Sequence, residues 1–448
     1  MLSSSTPLLY IAFYTLFFFF HTKSSHIFSC SVISLFNFKT IVGKRDDEIW
    51  VYINGIYEPI GKNIIKARVE QRLNKICKTH HVNEVINKIA RKTFITREKF
   101  CCENPNLICV NNGVLDLKTR KLKPHSPDYF FATKIPVSYD KKATCHKILQ
   151  FLSEVLNDED VKAIQEWIGY HLYREYFMKK ALIFRGVPDT GKTTFLNLLI
   201  KFIGGNNVAN KSLQLLAQGK WQLVKLYNKH ANIGDDLTND DVSNMGVVKQ
   251  LTGRSSIDAE EKFGDSFGFI NYAKLSFGCN KIPRIQGDVD DRAFWDRWMI
   301  FDFENVFERT DDNTRPNIIN EIATDEEMSG LLNWGIEGLK RLQKQGYFSY
   351  QRTWEDNRRI MQGEASSVAR FNNECLLYDS SSWVSNSDLY HSYNEFCELN
   401  MITNIETIQK FAKDIRRYCN FATFNINRNN IFGVKNIKVK SVLPIMGL

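Results

Sequence analysis

The sequence predicts an α/β protein, a parallel sheet wrapped by helices, set between a mainly helical N-terminal region and a smaller C-terminal module. Three observations predict it. Residues 186–194 read Gly186-Val187-Pro188-Asp189-Thr190-Gly191-Lys192-Thr193-Thr194, a complete GxxxxGK[ST] pattern between the apolar runs Ala181-Leu182-Ile183-Phe184 and Phe195-Leu196-Asn197-Leu198-Leu199-Ile200. That is the order of a strand, a loop and a helix. Further short apolar runs alternate with helical stretches after it, as βαβ units require, while both flanks carry helical periodicity.

The 448-residue chain has material for about two to four domains with true cores. Its formal charge of +9 is unevenly spread: residues 39–180 hold 26 basic and 17 acidic side chains, residues 181–334 hold 17 and 22, and residues 335–448 hold 15 and 11. A polyanion other than a nucleotide is therefore expected on the flanking segments or on a local loop of the middle one. The ten cysteines show no CxxC pairing. Cys101-Cys102, Cys145-His146 and His80-His81 are sequence neighbours that seldom meet one tetrahedral ion, so they read as reduced thiols and imidazoles rather than a zinc site or a disulfide framework. A reducing, cytoplasmic compartment is expected.

Residues 1–42 read as an apolar leader of uncertain status, either a poorly ordered leader or the product of a start codon placed too far upstream, with membrane anchoring through residues 8–38 as the alternative. The run from Leu8 to Phe20 has signal-peptide length, no basic residue before it and no small-residue cleavage site after it, and it is too short to span a bilayer comfortably. No stable membrane association is expected. From residue 43 to 175 the pattern is globular and mainly helical. Trp50-Val51-Tyr52-Ile53, Asn54-Gly55 and Ile56-Tyr57 predict a hairpin with a type I′ turn. Apolar residues at helical spacing predict helices over 64–78 and 82–93 and a helical stretch over 146–177; Asn111 to Leu117 reads as a turn and a strand.

Residues 176–327 hold the phosphate-loop segment. The helix after the loop is expected to stop at Gly204-Gly205-Asn206-Asn207. Strands are predicted near Ala231-Asn232-Ile233, at Tyr272 to Phe277 and at Met299 to Phe303. In residues 328–448, a helix over 328–345 carries Leu331, Leu332, Ile336, Leu339 and Leu342 on one side and ends at Gly346. Ser366 to Ser382 reads as an irregular bridge. Two helices, at Leu389–Phe396 and Ile408–Arg417, then precede alternating residues over 431–441, a pattern that suits a winged-helix-like module or a plain helical packing unit.

Glycines at both ends of the 186–194 loop let its backbone N–H groups and the following helix N-terminus turn toward phosphate oxygens. Lys192 then reaches the β and γ phosphates and Thr193 holds Mg²⁺, so ATP with Mg²⁺ is the expected ligand and no further metal is expected. Hydrolysis also needs acids at a strand end, a polar group near the γ-phosphate and a cation for transition-state charge. Asp235 is assigned to the Mg²⁺ shell and Asp236 to water activation, although adjacent acids also occur on solvated turns. Asn280 is the polar group; before Pro283 it is alternatively a turn former. Arg297 is the cation, with Arg292 second to it, and a salt bridge is the ordinary alternative for either.

These residues, followed by Val248-Lys249-Gln250-Leu251-Thr252-Gly253, Cys279-Asn280-Lys281-Ile282-Pro283 and Asp296-Arg297, resemble superfamily 3 helicases. More narrowly they resemble the helicase part of the phage, plasmid and poxvirus-type primase-helicases. The resemblance takes in Asn112 to Leu117, Ile168-Gly169-Tyr170, Ser329 to Trp334 and Glu337-Gly338-Leu339, and covers about residues 44 to 345. It implies an AAA+ P-loop NTPase core, a homo-hexameric ring with ATP at subunit interfaces, and translocation on single-stranded DNA to unwind forked DNA during replication of a virus, plasmid or integrated element. It also implies roles: Lys192 and Thr193 for phosphate and Mg²⁺, Asp235 and Asp236 as the acidic pair, Asn280 as sensor and Arg297 as a trans-acting arginine. The DNA-contacting hairpin would have its tip at Lys262-Phe263, a cation for phosphate and a ring for stacking. The chain departs from the family where Thr190-Gly191-Lys192-Thr193 replaces Asn-Gly-Lys-Ser, which keeps a hydroxyl for Mg²⁺, and in having no upstream primase segment. Priming is not expected, leaving that role to a separate primase or polymerase. Two alternatives share the motifs: a nucleotide-switched DNA-binding loader that does not unwind, and an RNA helicase.

Overall fold

The computed structural model describes residues 35–43, 46–100, 104–235, 237, 245–260, 266–282, 291–307, 318–400, 402, 405–419 and 421–440. The chain divides into two compact units, residues 1–142 with 260–267, and residues 143–259 with 268–448.

In the first unit, β1 (Phe38–Ile41), β2 (Glu48–Ile53) and β3 (Ile56–Glu58) form an antiparallel meander; β1, with Phe38 and Ile41 buried, corrects the reading of residues 1–42 as a leader, because the fold already includes 38–41. Asn54 and Gly55 turn the β2–β3 hairpin with φ of 49° and 96°, the pair of positive values a type I′ turn demands. Helices α1 (Gly61–Leu73) and α2 (Thr79–Lys92) bury Ile65, Val69, Val82, Val85 and Ile89 against Phe38, Ile49 and Val51 of the meander. A second antiparallel sheet joins β4 (Leu107–Val110), β5 (Gly113–Asp116) and β6 (Leu122–Lys123). Sequence reasoning expected one hairpin and one further strand here. β4 escaped it because Leu107-Ile108-Cys109-Val110 is buried throughout and shows no alternation.

The second unit opens with α3 (His146–Val155) and α4 (Asp158–Leu172) in place of one continuous helical stretch. The break falls at Leu156-Asn157, both extended, after which Asp158, Glu159 and Asp160 fill the first turn of α4, where the helix dipole favours acids. β7 (Ala181–Arg185) leads into α5 (Lys192–Ile203); β8 (Val208–Ala209), β9 (Ala231–Gly234), α6 (Met245–Leu251), β10 (Ser256–Glu260), β11 (Ser266–Ile270), β12 (Lys274–Cys279), α7 (Arg292–Trp295) and β13 (Trp298–Asp302) follow. Five of these strands make a parallel sheet in the order β13-β7-β12-β9-β8, and β10 and β11 pair separately. Ala181 to Phe184 are buried to within 1% on both faces, so β7 reads as an unbroken apolar run.

On the sheet lies α4, whose buried Trp167 donates from Nε1 to Ser276 Oγ at 3.0 Å. The long helix α8 (Asp325–Gln345) packs on α4 through glycines. A Cβ on Gly169 would stand 2.0 Å from the Gly335 carbonyl oxygen, and one on Gly338 would stand 2.4 Å from that of Gln165. Backbone therefore meets backbone.

After α9 (Trp354–Ala365) the structure corrects the reading of residues 366–382 as an irregular bridge: it forms α10 (Ser367–Cys375) and β14 (Leu376–Ser385). Ser366 caps α10 by accepting from Ala369 N, and Val368, Phe371 and Cys375 enter a core completed by α11 (Asn386–Leu399) and α12 (Ile408–Tyr418). The middle of β14, Asp379-Ser380-Ser381-Ser382, is polar. β14 is a strand because β16 (Ile431–Val439) supplies its ladder, in a sheet of order β14-β16-β15 with β15 (Thr423–Arg428), a case of tertiary context overriding local preference. Among the described residues no helix is long and apolar enough to cross a membrane.

Candidate nucleotide site

The loop between β7 and α5 is built around a backbone that other residues cannot adopt freely. Gly191 caps α5 at φ +84°, and a Cβ there would meet Val155 Cγ1 at 2.7 Å. No side chain caps α5, so its first-turn N–H groups stay without intrahelical partners beside a cavity of about 440 Å³. With the positive end of the helix dipole, they suit an anion. Lys192 folds back onto the loop, donating from Nζ to the carbonyl oxygens of Gly186 and Val187, both at 2.6 Å, and to Thr190 Oγ1 at 3.2 Å. Burial lowers its pKa, more than the neighbouring Cys279, Asp235 and Asp189 raise it.

Sheet register brings the other groups to this cavity. β12 lies between β7 and β9, with Cys279 opposite Arg185 and Phe277 opposite Gly234. Asn280 and Asp235, each one residue beyond its strand, therefore emerge at the same end of the sheet as the loop. Both are exposed and both line the cavity with Pro188 to Thr194. Of the sequence-predicted residues, Lys192, Thr193, Asp235 and Asn280 are thus brought together. Asp236, Lys262 and Phe263 lie outside the described residues; β10 and β11 flank the stretch that contains the last two.

Arg297 is not in this group. Its carbonyl accepts from Ala181 N at 2.7 Å, which fixes it at the opposite end of β7. Across the five residues of β7 that is about 13 Å from the loop. Its guanidinium donates to Thr252 Oγ1 at 3.0 Å and to the Ala293 carbonyl. Nearby, Asp291 caps α7 and pairs with Lys249 at 2.7 Å. That ion pair holds the Asp291 carboxyl below its usual range. Arg292 is exposed and stacks over the Trp354 ring at 5.5 Å.

Sequence reasoning missed a brace under the loop. Arg185, the last residue of β7, bonds Asp302 at 2.5 Å, and Arg352 bonds the same carboxylate at 2.6 Å. Burial raises the Asp302 pKa, yet these two cations together bring it below the ordinary value. Arg185 beside the glycine loop was a possible signal; Asp302 and Arg352 carry none, because their meeting depends on the fold.

The donor set fits a nucleotide with Mg²⁺. Thr193 and Asp235 offer exposed hard oxygens at the cavity, and among the described residues no cluster of three His, Cys, Asp or Glu side chains competes as a metal cage. One carboxylate and one hydroxyl, with phosphate oxygens and water, is how Mg²⁺ is ordinarily held.

A family model described as "D5 N terminal like" matches residues 35–157, and a family of unknown function (DUF5906) matches residues 184–297. The chain is 26% identical over 238 residues, 47% of its length, to "Putative helicase 184R" of Invertebrate iridescent virus 6. It is 27% identical over 262 residues, 52% of its length, to "Putative helicase 121R" of Invertebrate iridescent virus 3. The aligned parts cover 23% and 28% of those proteins, so the chain spans about a quarter of the length of these curated relatives. In fold it is similar to the apo structure of the NrS-1 C terminal region, with a TM-score of 0.51 at 12% identity over 91% of this chain and 98% of that one. An A-form apo structure of the same region gives 0.50 at 12% identity, over 87% and 84%.

Proposed function

We propose that the chain is an ATP-dependent DNA helicase of the phage and viral primase-helicase kind, serving a replicating virus or mobile element as a homo-hexameric ring on single-stranded and forked DNA. Its similarity to two viral proteins named putative helicases and to the D5 N terminal like family model supports the reading. In this reading residues 43–175 form a collar, residues 176–327 an AAA+ motor of superfamily 3, and residues 328–448 a helical region ending in a winged-helix-like module. The order helix, strand, helix, helix, strand, strand from α10 to β16 supports the last assignment.

The observation that carries the proposal is the meeting of Lys192, Thr193, Asp235 and Asn280 on one cavity. Bound ATP with Mg²⁺ supplies the phosphoanhydride whose cleavage drives the cycle. Lys192 exchanges the Gly186 and Val187 carbonyls for phosphate oxygens, and the open N-terminus of α5 holds the same charge. Thr193 and Asp235 hold the ion. Asp236 takes the proton of the attacking water and Asn280 orients that water. Arg297, at the far end of β7 from its own loop, serves the nucleotide of a neighbouring subunit. Lys262 and Phe263 contact the translocating strand. The test is strand displacement on forked DNA with ATP and Mg²⁺ by the full chain and by Lys192→Ala. Unwinding by the parent alone is expected; rings that hydrolyse ATP without ever separating strands would point to the loader instead.

A further inference from the structure

β13 stands at the edge of the five-stranded sheet, paired with β7. In a parallel ladder alternate residues turn their N–H and C=O groups to opposite sides. Arg297 and Phe303 bond toward β7, so Trp298 and Ile300 face away from it. Left bare, such an edge is unsatisfied and open to stray pairing. Here side chains from residues 350–357, the end of the connection after α8 and the start of α9, close it. Ile300 N donates to Tyr350 Oη at 2.8 Å, and the Ile300 carbonyl accepts from Arg352 Nη1 at 3.0 Å. The Trp298 carbonyl accepts from Nδ2 of buried Asn357 at 2.8 Å. Tyr350 donates in turn to Asn357 Oδ1 at 2.7 Å, which joins these contacts into one strap.

Arg352 is the end of the strap that reaches toward loop 186–194. Its Nη2 donates at 2.6 Å to Asp302, the residue at which β13 passes into residues 303–307. That stretch is bonded to the backbone around the loop: Phe303 N donates to the Arg185 carbonyl at 2.7 Å and Phe307 N to the Asp189 carbonyl at 2.9 Å. Between the two bonds the approach is tight, since a Cβ on Gly186 would stand 2.4 Å from the Phe303 carbonyl oxygen. Asp189 itself lies at φ 61°, a left-handed conformation that persists in a non-glycine residue when its surroundings hold it. A shift at the end of β13 is therefore passed to the loop.

We propose that Arg352 is a positioning residue for the nucleotide: by holding Ile300 and Asp302 at once it fixes the end of β13, and through Phe303 and Phe307 it keeps loop 186–194 in the shape that receives phosphate. The inference rests on the nucleotide-binding reading of that loop. Arg352 does not line the cavity, so it acts through the strand and not on the ligand. The role needs a guanidinium, because the carbonyl and the carboxylate are reached by different nitrogens of one planar fork. The region after α8 thus completes a site whose lining residues all lie between 188 and 280.

The experiment measures calorimetric binding of a slowly hydrolysed ATP analogue with Mg²⁺ to the full chain, together with KM and kcat for ATP hydrolysis. Arg352→Gln is expected to weaken analogue binding about tenfold and to raise KM by the same factor, with kcat within about twofold of the parent, as loss of binding common to ground and transition states requires. Arg352→Lys keeps the charge but holds one acceptor, and should fall between. Arg341→Gln is the matched control: it takes an arginine from another buried carboxylate, Glu166 at 2.6 Å, and should lower the melting temperature without changing analogue affinity. Parental affinity in Arg352→Gln overturns the proposal. So does equal weakening by Arg341→Gln, or a fall in kcat at unchanged KM. If Arg352→Gln does not fold, Arg352→Lys decides, and parental affinity there overturns it. A parent that binds no analogue sinks the nucleotide reading itself, whereas a parent and Arg352→Gln that bind it alike sink this inference alone.

Discussion

Lys274 is fully buried, its Nζ donating to the carbonyls of Tyr173, Glu175 and Tyr272 at 2.5, 3.0 and 2.8 Å with the Tyr170 ring 4.4 Å away. Burial drives its pKa well below the ordinary lysine value. Beside it His171 and His230 are equally enclosed, each donating from Nδ1 to a carbonyl, of Trp167 at 2.7 Å and of His171 at 2.8 Å. His171 Nε2 has no hydrogen-bond partner among the described residues. Burial pulls both imidazoles from 6.5 to about 3. Between those values the unfolded chain binds protons that the folded one refuses. Their contribution is therefore complete above pH 6.5 and is lost as the pH falls toward 3, by up to about 1.4 kcal/mol per pH unit for each imidazole. Asp160 acts in the opposite sense: burial raises it to about 6, so acidification between 6 and 4 favours the folded form. It is only partly buried and offsets a fraction of one histidine. Denaturant titrations from pH 7.5 to 5 should show a net loss of stability, and His171→Gln should flatten that slope; a slope identical to the parent's would refute the assignment.

At the scale of elements, the contact of α4 with α8 depends on missing side chains. Gly338→Val is expected to destabilise by about 3 kcal/mol, because a Cβ 2.4 Å from the Gln165 carbonyl cannot be absorbed by a rotamer change. Gly205→Ala, where nothing lies within 4 Å, should be near neutral. Comparing their denaturation midpoints checks the claim. How much was legible follows the range of the interactions. Loop 186–194 was legible because strand, glycines and helix are contiguous, and Asp235 and Asn280 because strand ends announce themselves locally. The register that makes them neighbours was not, since Phe277 meets Gly234 only through the sheet. β14 was illegible because its ladder comes from residues some fifty positions on. The Arg185–Asp302–Arg352 brace was hidden for the same reason, while Gly169 and Gly338 were noticed as pattern without their packing role.

For the whole molecule, the decisive relation is that loop 186–194 and Arg297 lie at opposite ends of β7. If Arg297 serves a neighbour, Lys192→Ala and Arg297→Ala should each be inactive alone yet regain part of the ATP hydrolysis when mixed, because some interfaces then join an intact Lys192 to an intact Arg297. Hydrolysis measured across mixing ratios tests this, and no recovery in mixed rings would assign Arg297 to its own subunit's structure. The order β13-β7-β12-β9-β8 has another consequence, in the time taken to make the chain. Both neighbours of β7 are encoded after it, β12 beginning roughly 90 residues later. At about 5–20 residues per second, Ala181-Leu182-Ile183-Phe184 leaves the ribosome with two bare edges for some seconds before either partner strand exists. The apolar strand that leads into loop 186–194 is thus the one that waits longest for company, and a holding chaperone has its natural target there.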